Sequence, residues 1–139
     1  MTVRVLGDAD VESLITIGES VEVMARAFRR HAAGRLAAPA RLGVPLGCGQ
    51  LVFTAGGYSD EAGGRIGCGV NDSEHCGSAV RDGLVAVFGT GNGALVGLVA
   101  GSGLGPLRTG AIGGVAVDSL ARNDATTLAL VGTGKQART

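Results

Sequence analysis

Four short apolar segments with the spacing of β-strands follow one another through the middle of the chain. They are residues 50–55, 64–70, 83–89 and 94–100. The last two are joined by TGNG at 90–93, and its Asn-Gly pair is typical of a tight hairpin turn. Several short strands without intervening helices favour a sheet of mixed or antiparallel pairing over alternating strand and helix units. We therefore predict an α+β fold.

A helical region is predicted ahead of this sheet. Residues 8–33 repeat apolar side chains at helical spacing, and we expect Gly18 to divide them into two helices. Asp8 or Asp10 can cap the first helix. Gly34 suits the position just after the last turn of the second helix. The stretch RLAAPARLGVPL that follows, with its two prolines, predicts an irregular connection.

Another helix is predicted after the sheet, over residues 106–122, with Pro106 at its first position. Three glycines lie inside this helix, at positions 110, 113 and 114. Each costs about 1 kcal/mol of helix stability relative to alanine. We expect close packing of the helix against a sheet or a ligand to offset that cost.

The last part of the chain has the pattern of a dinucleotide site. TTLALVG, residues 126–132, predicts a buried parallel strand. The turn GTGKQA follows it, and glycines in a GxGxxA pattern after a strand let the backbone approach a pyrophosphate. The residues of this turn are therefore candidates for binding a nucleotide cofactor: Gly132, Thr133, Gly134, Lys135, Gln136 and Ala137.

Arginines supply the candidate anion-binding groups. Arg108 and Thr109 follow a Gly-Leu-Gly-Pro sequence at the predicted helix start, where free backbone amides and a guanidinium together can receive a carboxylate or a phosphate. Arg41 and Arg65 are weaker candidates on their own. No arrangement of residues predicts a catalytic nucleophile or an acid–base pair within the chain.

Composition excludes several classes of function. The formal net charge is zero, which argues against nucleic acid as a partner. The chain has no apolar run of 18 residues, so no transmembrane helix is predicted. The three cysteines are an odd number without a secretory signal, and we expect reduced thiols in the cytoplasm. Cys48, Cys68, His75 and Cys76 do not have a metal-binding spacing, and no metal is predicted.

Three motifs in order resemble the ornithine cyclodeaminase/μ-crystallin family. They are LRTGA at 107–111, LAR-x-DA at 120–125 and GTG-x-QAR at 132–138. The G-R-L-x-x-P-x-R pattern at 34–41 also fits the N-terminal half of the family. The resemblance extends over essentially the whole chain and is strongest from residue 101 to 139.

This resemblance implies NAD or NADP as cofactor and a homodimeric enzyme that works at the α-carbon of an amino acid or cyclic imino acid. It implies a substrate-binding and dimerisation domain over residues 1–123, including the helix 106–122. Residues 124–139 would begin a Rossmann domain that is truncated here. The family's catalytic aspartate would lie beyond Thr139, so no catalytic residue is expected within the chain.

The resemblance also assigns roles to the arginines. Arg41 and Arg108 match the family's two carboxylate-binding arginines. Arg108 is also expected to contact the cofactor, and Thr109 beside it is expected to contact the substrate. Arg65 falls where many members place a substrate-contacting lysine, although a guanidinium cannot act as a neutral amine near neutral pH. Val52, Thr54 and Ala55 depart from the family pattern and argue against ornithine as the substrate.

Three hypotheses follow for the chain. It is the N-terminal part of such an enzyme, or a non-catalytic fragment of the μ-crystallin type that binds a ligand or dimerises, or a remnant without a stable fold. In a lone fragment we expect Leu128, Leu130 and Val131 to be exposed, because a parallel strand is normally covered on both faces.

Overall fold

The fold is a mixed sheet with three helices. The computed structural model describes residues 2–47, 49–59, 64–72 and 83–139. In chain order the elements are β1 (Arg4–Leu6), α1 (Asp8–Leu14), α2 (Ile17–Ala32), β2 (Leu36–Ala37), β3 (Leu42–Leu46), β4 (Gly49–Tyr58), β5 (Arg65–Asp72), β6 (Gly83–Gly89), β7 (Leu95–Gly101) and α3 (Leu104–Leu120), followed by a 3₁₀ turn (Lys135–Ala137).

The sheet has seven strands in the order β1-β7-β6-β5-β4-β2, and β3 also pairs with β4. β1 runs parallel to β7, and every other pairing is antiparallel. The predicted mixed sheet and the hairpin at TGNG, between β6 and β7, are therefore confirmed. The four predicted strands correspond to β4, β5, β6 and β7.

The three remaining strands were missed by the sequence analysis. The stretch read as an irregular connection contains β2 and β3, and β1 precedes the first helix. β1 and β2 have only three and two residues, too few to show an alternating pattern. β3 contains Pro45, which the strand tolerates because β3 pairs on one side only, with β4.

The two N-terminal helices divide at Thr16 rather than at the predicted Gly18, which is the second residue of α2. Ile15 is extended, and Thr16 caps α2 in a capping box. The Thr16 N–H donates to Glu19 Oε2 at 2.8 Å, and the Glu19 N–H donates to Thr16 Oγ1 at 3.3 Å. The T-x-x-E spacing was the available signal for this boundary.

The bonds from the Thr16 N–H and hydroxyl lower the pKa of Glu19. Their contribution to stability is therefore present above the pKa of an unfolded glutamate and is lost as the pH falls through the folded value.

Gly34 ends α2 as predicted. Its φ is +69°, a conformation that glycine adopts without steric cost. The Gly34 N–H donates to His31 O at 2.9 Å, and the Arg35 N–H donates to Arg30 O at 2.8 Å. The Arg30 guanidinium lies 4.1 Å from the ring centre of Tyr58, so α2 also contacts the end of β4.

α3 begins at Leu104, two residues before the predicted start. Pro106 is therefore its third residue, a position where a helix has no intrahelical use for the backbone N–H. Close packing occurs at two of the three glycines, but the partners are α2 and the chain end and not the predicted sheet or ligand. A Cβ on Gly114 would lie 2.7 Å from Val21 Cγ2, and one on Gly110 would lie 2.9 Å from Thr139 O.

The segment after α3 differs from the prediction. Residues 125–131 pair with no strand of the described sheet, so the predicted parallel strand is absent. A strand needs a partner for its backbone N–H and C=O groups, and none of the described strands lies beside this segment. Leu128, Leu130 and Val131 are 68%, 63% and 99% exposed, which confirms the exposure expected for a lone fragment.

Side chains of the sheet alternate between two faces, and one face is apolar and exposed. Residues opposite one another on neighbouring strands share a face, so Leu42, Phe53, Val70 and Leu84 form one row across four strands. Ile66 lies on the same face, two rows along. We call this surface the open sheet face. Its large side chains Leu42, Phe53, Ile66 and Leu84 are 63%, 37%, 47% and 44% exposed.

The packing of α3 on α2 predicts opposite effects at two adjacent glycines. A Cβ on Gly113 meets nothing within 4 Å, so Gly113→Ala should stabilise the chain by up to about 1 kcal/mol. Gly114→Ala should destabilise it, because Val21 is stiff in a helix and cannot rotate away from the new methyl group. Urea unfolding of the two variants measures the difference. Equal stabilisation by both substitutions would show that α2 and α3 are not in close contact at Gly114.

Candidate functional site

One open cleft of about 910 Å³ brings most of the predicted site residues together. A single row of side chains across four strands contributes to its floor. Thr54 lies opposite Gly69, Gly69 opposite Val85, and Val85 opposite Val99. All four line the cleft. This row alternates along the strands with the apolar row described above, and Val70 and Leu84 of that apolar row also line the cleft.

Two segments form the walls of the cleft. The first is the start of α3, which contributes Leu104, Gly105, Pro106, Arg108 and Thr109. The second is the terminal turn, which contributes Val131, Gly132, Gly134, Gln136 and Ala137. Arg41, just before β3, also lines the cleft. The segments from which we predicted anion binding and cofactor binding therefore face one shared space.

The cleft has a positive character because two guanidinium groups line it. Among the described residues, neither Arg41 nor Arg108 forms an ion pair with a carboxylate. Both arginines are exposed, so their donors are accessible to a ligand. Guanidinium groups present planar pairs of donors that match a carboxylate, so a small carboxylic acid fits this surface.

The glycine turn has the backbone that its sequence predicts. Gly132 has a φ of +104°, which side-chain-bearing residues rarely adopt. A Cβ on Gly132 or Gly134 would meet nothing within 4 Å, so the space beside both residues is open to a ligand. The helix expected to follow is a single 3₁₀ turn, in which the Ala137 N–H donates to Gly134 O at 3.0 Å. These features fit a dinucleotide phosphate, for which close backbone approach is needed.

Among the described residues that line the cleft, Asp8 is the one acidic residue. Its carboxylate accepts hydrogen bonds from the Ser102 N–H at 3.1 Å and from the Gly103 N–H at 2.9 Å. The Ser102 hydroxyl also donates to it, at 3.3 Å. Asp8 is therefore engaged by the start of α3. The predicted capping role falls to Asp10 alone, which accepts from the Gly7 N–H at 2.8 Å.

Other predicted residues lie elsewhere. Arg65 is exposed at the start of β5, opposite Tyr58 and Gly89, and does not line the cleft. Its guanidinium donates to Gly64 O at 2.8 Å. Thr133 is exposed and is also absent from the lining. Lys135 begins the 3₁₀ turn.

The cysteine and histidine positions considered for a metal are mostly outside the described residues. Cys48, His75 and Cys76 fall there, and Cys68 is exposed with a free thiol. Within the described ranges no group of three metal-ligating side chains occurs. In the same ranges, none of the helices combines the length and the hydropathy that crossing a bilayer requires.

The floor of the cleft and the role of Asp8 were not predicted from the sequence. The floor residues Thr54, Gly69, Val85 and Val99 belong to strands that were predicted, and the strand register brings them into one row. No local pattern reports that register. Asp8 bonds to residues 94 and 95 positions away, a contact for which a single sequence carries no signal.

The fold and the cleft together agree with a family comparison. A sequence model of the ornithine cyclodeaminase/mu-crystallin family matches residues 2–139. The chain belongs to this family.

Relatives of the chain include a reductase and a dehydrogenase whose names give an imino acid or an amino acid. A Delta(1)-pyrroline-2-carboxylate reductase of Bacillus cereus is 31% identical over 138 residues, which cover 96% of this chain and 42% of the relative. An archaeal alanine dehydrogenase dimer with bound NAD superposes with a TM-score of 0.89 at 25% identity, over 99% of this chain and 43% of that one.

A third relative was solved with both a cofactor and an amino acid. The Delta(1)-pyrroline-2-carboxylate reductase of Thermococcus litoralis, in complex with NADH and L-proline, gives a TM-score of 0.82 at 26% identity. The match covers 98% of this chain and 43% of that one. The chain thus spans less than half the length of the relatives it matches.

The geometry predicts that Arg108 and Arg65 differ in their effect on carboxylate binding. Arg108→Ala should weaken binding of a small carboxylate such as acetate about 10- to 100-fold, because a hydrogen-bonded charge partner is lost. Arg65→Ala should behave like Arg26→Ala, an exposed arginine on α2, because neither lines the cleft. Titrations followed by amide NMR shifts measure all three affinities. A loss at Arg65 equal to that at Arg108 would instead support the role implied by the family resemblance.

Proposed function

We propose that the chain supplies the substrate-binding cleft and part of the cofactor site of an NAD(P)-dependent enzyme that acts by hydride transfer at the α-carbon of an amino or imino acid. In this proposal residues 1–123 form the substrate-binding and dimerisation domain. Residues 124–139 begin the nucleotide-binding domain. The curated relatives that the chain matches at 30–32% identity are reductases of one cyclic imino acid.

One observation carries the proposal: the two arginines and the glycine turn line the same cleft. A substrate carboxylate bound by Arg41 and Arg108 would lie beside a cofactor whose phosphates approach Gly132 and Gly134. Such an arrangement fixes the substrate α-carbon relative to the cofactor, and orientation of two reactants contributes several kcal/mol to catalysis. The bound nicotinamide would supply or accept the hydride.

The described residues have separate tasks in this scheme. Arg41 and Arg108 orient the substrate through its carboxylate. Thr109 Oγ1 donates to Gly105 O at 2.9 Å, so its hydroxyl proton is used within α3 and its oxygen can accept a bond. The apolar floor at Val85 and Val99 excludes water from one side of the substrate.

The cleft favours an imino acid over a diamino acid. A second amino group needs a carboxylate partner, and Asp8, the acid among the described residues that line the cleft, is already engaged by Ser102 and Gly103. Val52, which departs from the family pattern, offers no carboxylate for such an amine. We therefore propose a small carboxylate substrate with an apolar side chain or ring, of the kind that Δ1-pyrroline-2-carboxylate represents.

A non-catalytic role of the μ-crystallin type is the second candidate. The cleft can bind a carboxylic acid without any residue that acts as a general base, and the chain spans only 42% of its curated relatives. In that case the chain would bind the ligand or its own copy and perform no chemistry.

We also propose a homodimer formed through the open sheet face. Leu42, Phe53 and Ile66 are exposed there, and large exposed apolar patches mark association surfaces. The archaeal alanine dehydrogenase that superposes on the chain is a dimer. A cytoplasmic location, where Cys68 would stay reduced, completes the proposal.

The proposal predicts unequal binding of the two ligands by this chain. L-Proline should shift the amide resonances of Arg108 and Thr109, because the carboxylate site is complete within the chain. NADH should shift those of Gly132 and Ala137 with weak affinity, because one turn offers few contacts to the nucleotide. Calorimetry that gives micromolar NADH binding would contradict the second expectation, and absence of any L-proline shift would contradict the proposed function.

A substitution that introduces a charge on the open sheet face tests the proposed dimer. Ile66→Lys should convert the dimer to a monomer, because burying an unpaired ammonium in an apolar interface is costly. Leu120→Lys, at an 82% exposed position of α3, is the matched control and should leave the dimer intact. Sedimentation velocity measures both. Identical sedimentation of the two variants would rule out this face as the interface.

A further inference from the structure

The carboxylate of Asp8 connects the first helix to the junction between β7 and α3. It accepts three hydrogen bonds, from the Ser102 N–H, the Ser102 hydroxyl and the Gly103 N–H, at 3.1, 3.3 and 2.9 Å. Asp8 is the first residue of α1, and Gly103 is the cap residue of α3. The Asp8 side chain therefore links the first residue of α1 to the start of α3.

Glycines make room for this carboxylate. A Cβ on Gly101 would lie 2.6 Å from Asp8 Cγ, and one on Gly103 would lie 3.1 Å from Asp8 Oδ1. Gly101 also has a φ of +141°, which favours glycine. The Gly-Ser-Gly sequence resembles a loop for an external phosphate, but two of its backbone donors already bind an anion from within the chain.

Asp8 supplies what the start of α3 lacks. Gly103 has no side chain to cap the helix, and the first turn of α3 contains no acidic residue. A carboxylate at this end satisfies backbone donors and interacts favourably with the helix dipole. The hydrogen bonds are directional, so they also fix where along its axis α3 begins.

The position of α3 determines the position of Arg108. Arg108 is five residues beyond Gly103 in an unbroken helix. In the proposed function, the Arg108 guanidinium binds the same ligand carboxylate as Arg41. Arg41 lies in a separate segment, just before β3. A displacement of α3 along its axis would therefore change the distance between the two guanidinium groups.

We propose that Asp8 is a positioning residue for carboxylate recognition: through Ser102 and Gly103 it sets the placement of α3 and hence of Arg108 relative to Arg41. This inference rests on the proposed function, because the ligand bound by the arginines is the one proposed there. It adds that the affinity for that ligand depends on the hydrogen bonds that Asp8 accepts from Ser102 and Gly103.

The test compares Asp8→Asn with Asp10→Asn in the full chain. Both remove one negative charge from the start of α1, but Asp10 bonds only locally, to Gly7. Asp8→Asn should weaken L-proline binding about tenfold and shift the backbone amide resonances of Arg108 and Thr109. Asp10→Asn should change neither.

Two further variants separate positioning from general stability. Val11→Ala creates a cavity at a core residue that is 6% exposed, and it should lower the unfolding midpoint without weakening L-proline binding. Gly103→Ala keeps the charge but displaces the Asp8 carboxylate, and it should weaken binding as Asp8→Asn does.

The outcomes are distinct. Unchanged affinity in Asp8→Asn, or an equal loss in Val11→Ala, overturns the positioning role. If the unsubstituted chain binds no L-proline, the proposed function fails, and the amide shifts of Arg108 and Thr109 still decide whether Asp8 positions α3. Shifts confined to Ser102 and Gly103 would then overturn the inference.

Discussion

Close approach at glycine is the constraint on which this structure depends. The Asp8 carboxylate packs against Gly101 and Gly103, Thr139 against Gly110, and Val21 against Gly114. These contacts fix α3 to the first helix, to the chain end and to α2. α3 carries Arg108, which lines the cleft. The shape of the cleft therefore depends on glycine positions at which a side chain would not fit. The 26 glycines of the chain are thus partly explained by packing and not by flexibility.

The sequence predicted the elements with strong local signals and missed those defined by their partners. The four strands and the hairpin were found because their apolar runs and turn residues are local. β1 and β2 were missed because they are too short to have a pattern, and β3 because Pro45 within it and Pro39 ahead of it suggested a break. The segment 125–131 has a strand-like sequence without a strand beside it among the described residues. Whether these segments form strands depends on pairing with a neighbouring strand, which a local sequence pattern does not show.

The same difference, between local signals and strand pairing, holds for the residues of the candidate site. Arg41, Arg108 and the glycine turn were identified from residue type, spacing and family resemblance, and they line one cleft. Arg65 was identified in the same way, yet it lies opposite Tyr58, on the part of β5 away from the cleft. A charged residue in a glycine-rich strand gives no information about which end of the sheet it occupies. The strand register, which places Gly69 rather than Arg65 at the floor, supplies that information.

The parallel pairing of β1 with β7 has a consequence for how the chain acquires its structure. Arg4 lies opposite Gly97, and Asp8 bonds to a residue 94 positions away. Closing so long a loop costs conformational entropy before any contact is gained, and non-local pairings of this kind form slowly. During synthesis, the first strand must wait for most of the sheet to leave the ribosome. The N-terminal segment should therefore be the last to become protected from hydrogen exchange as the chain folds.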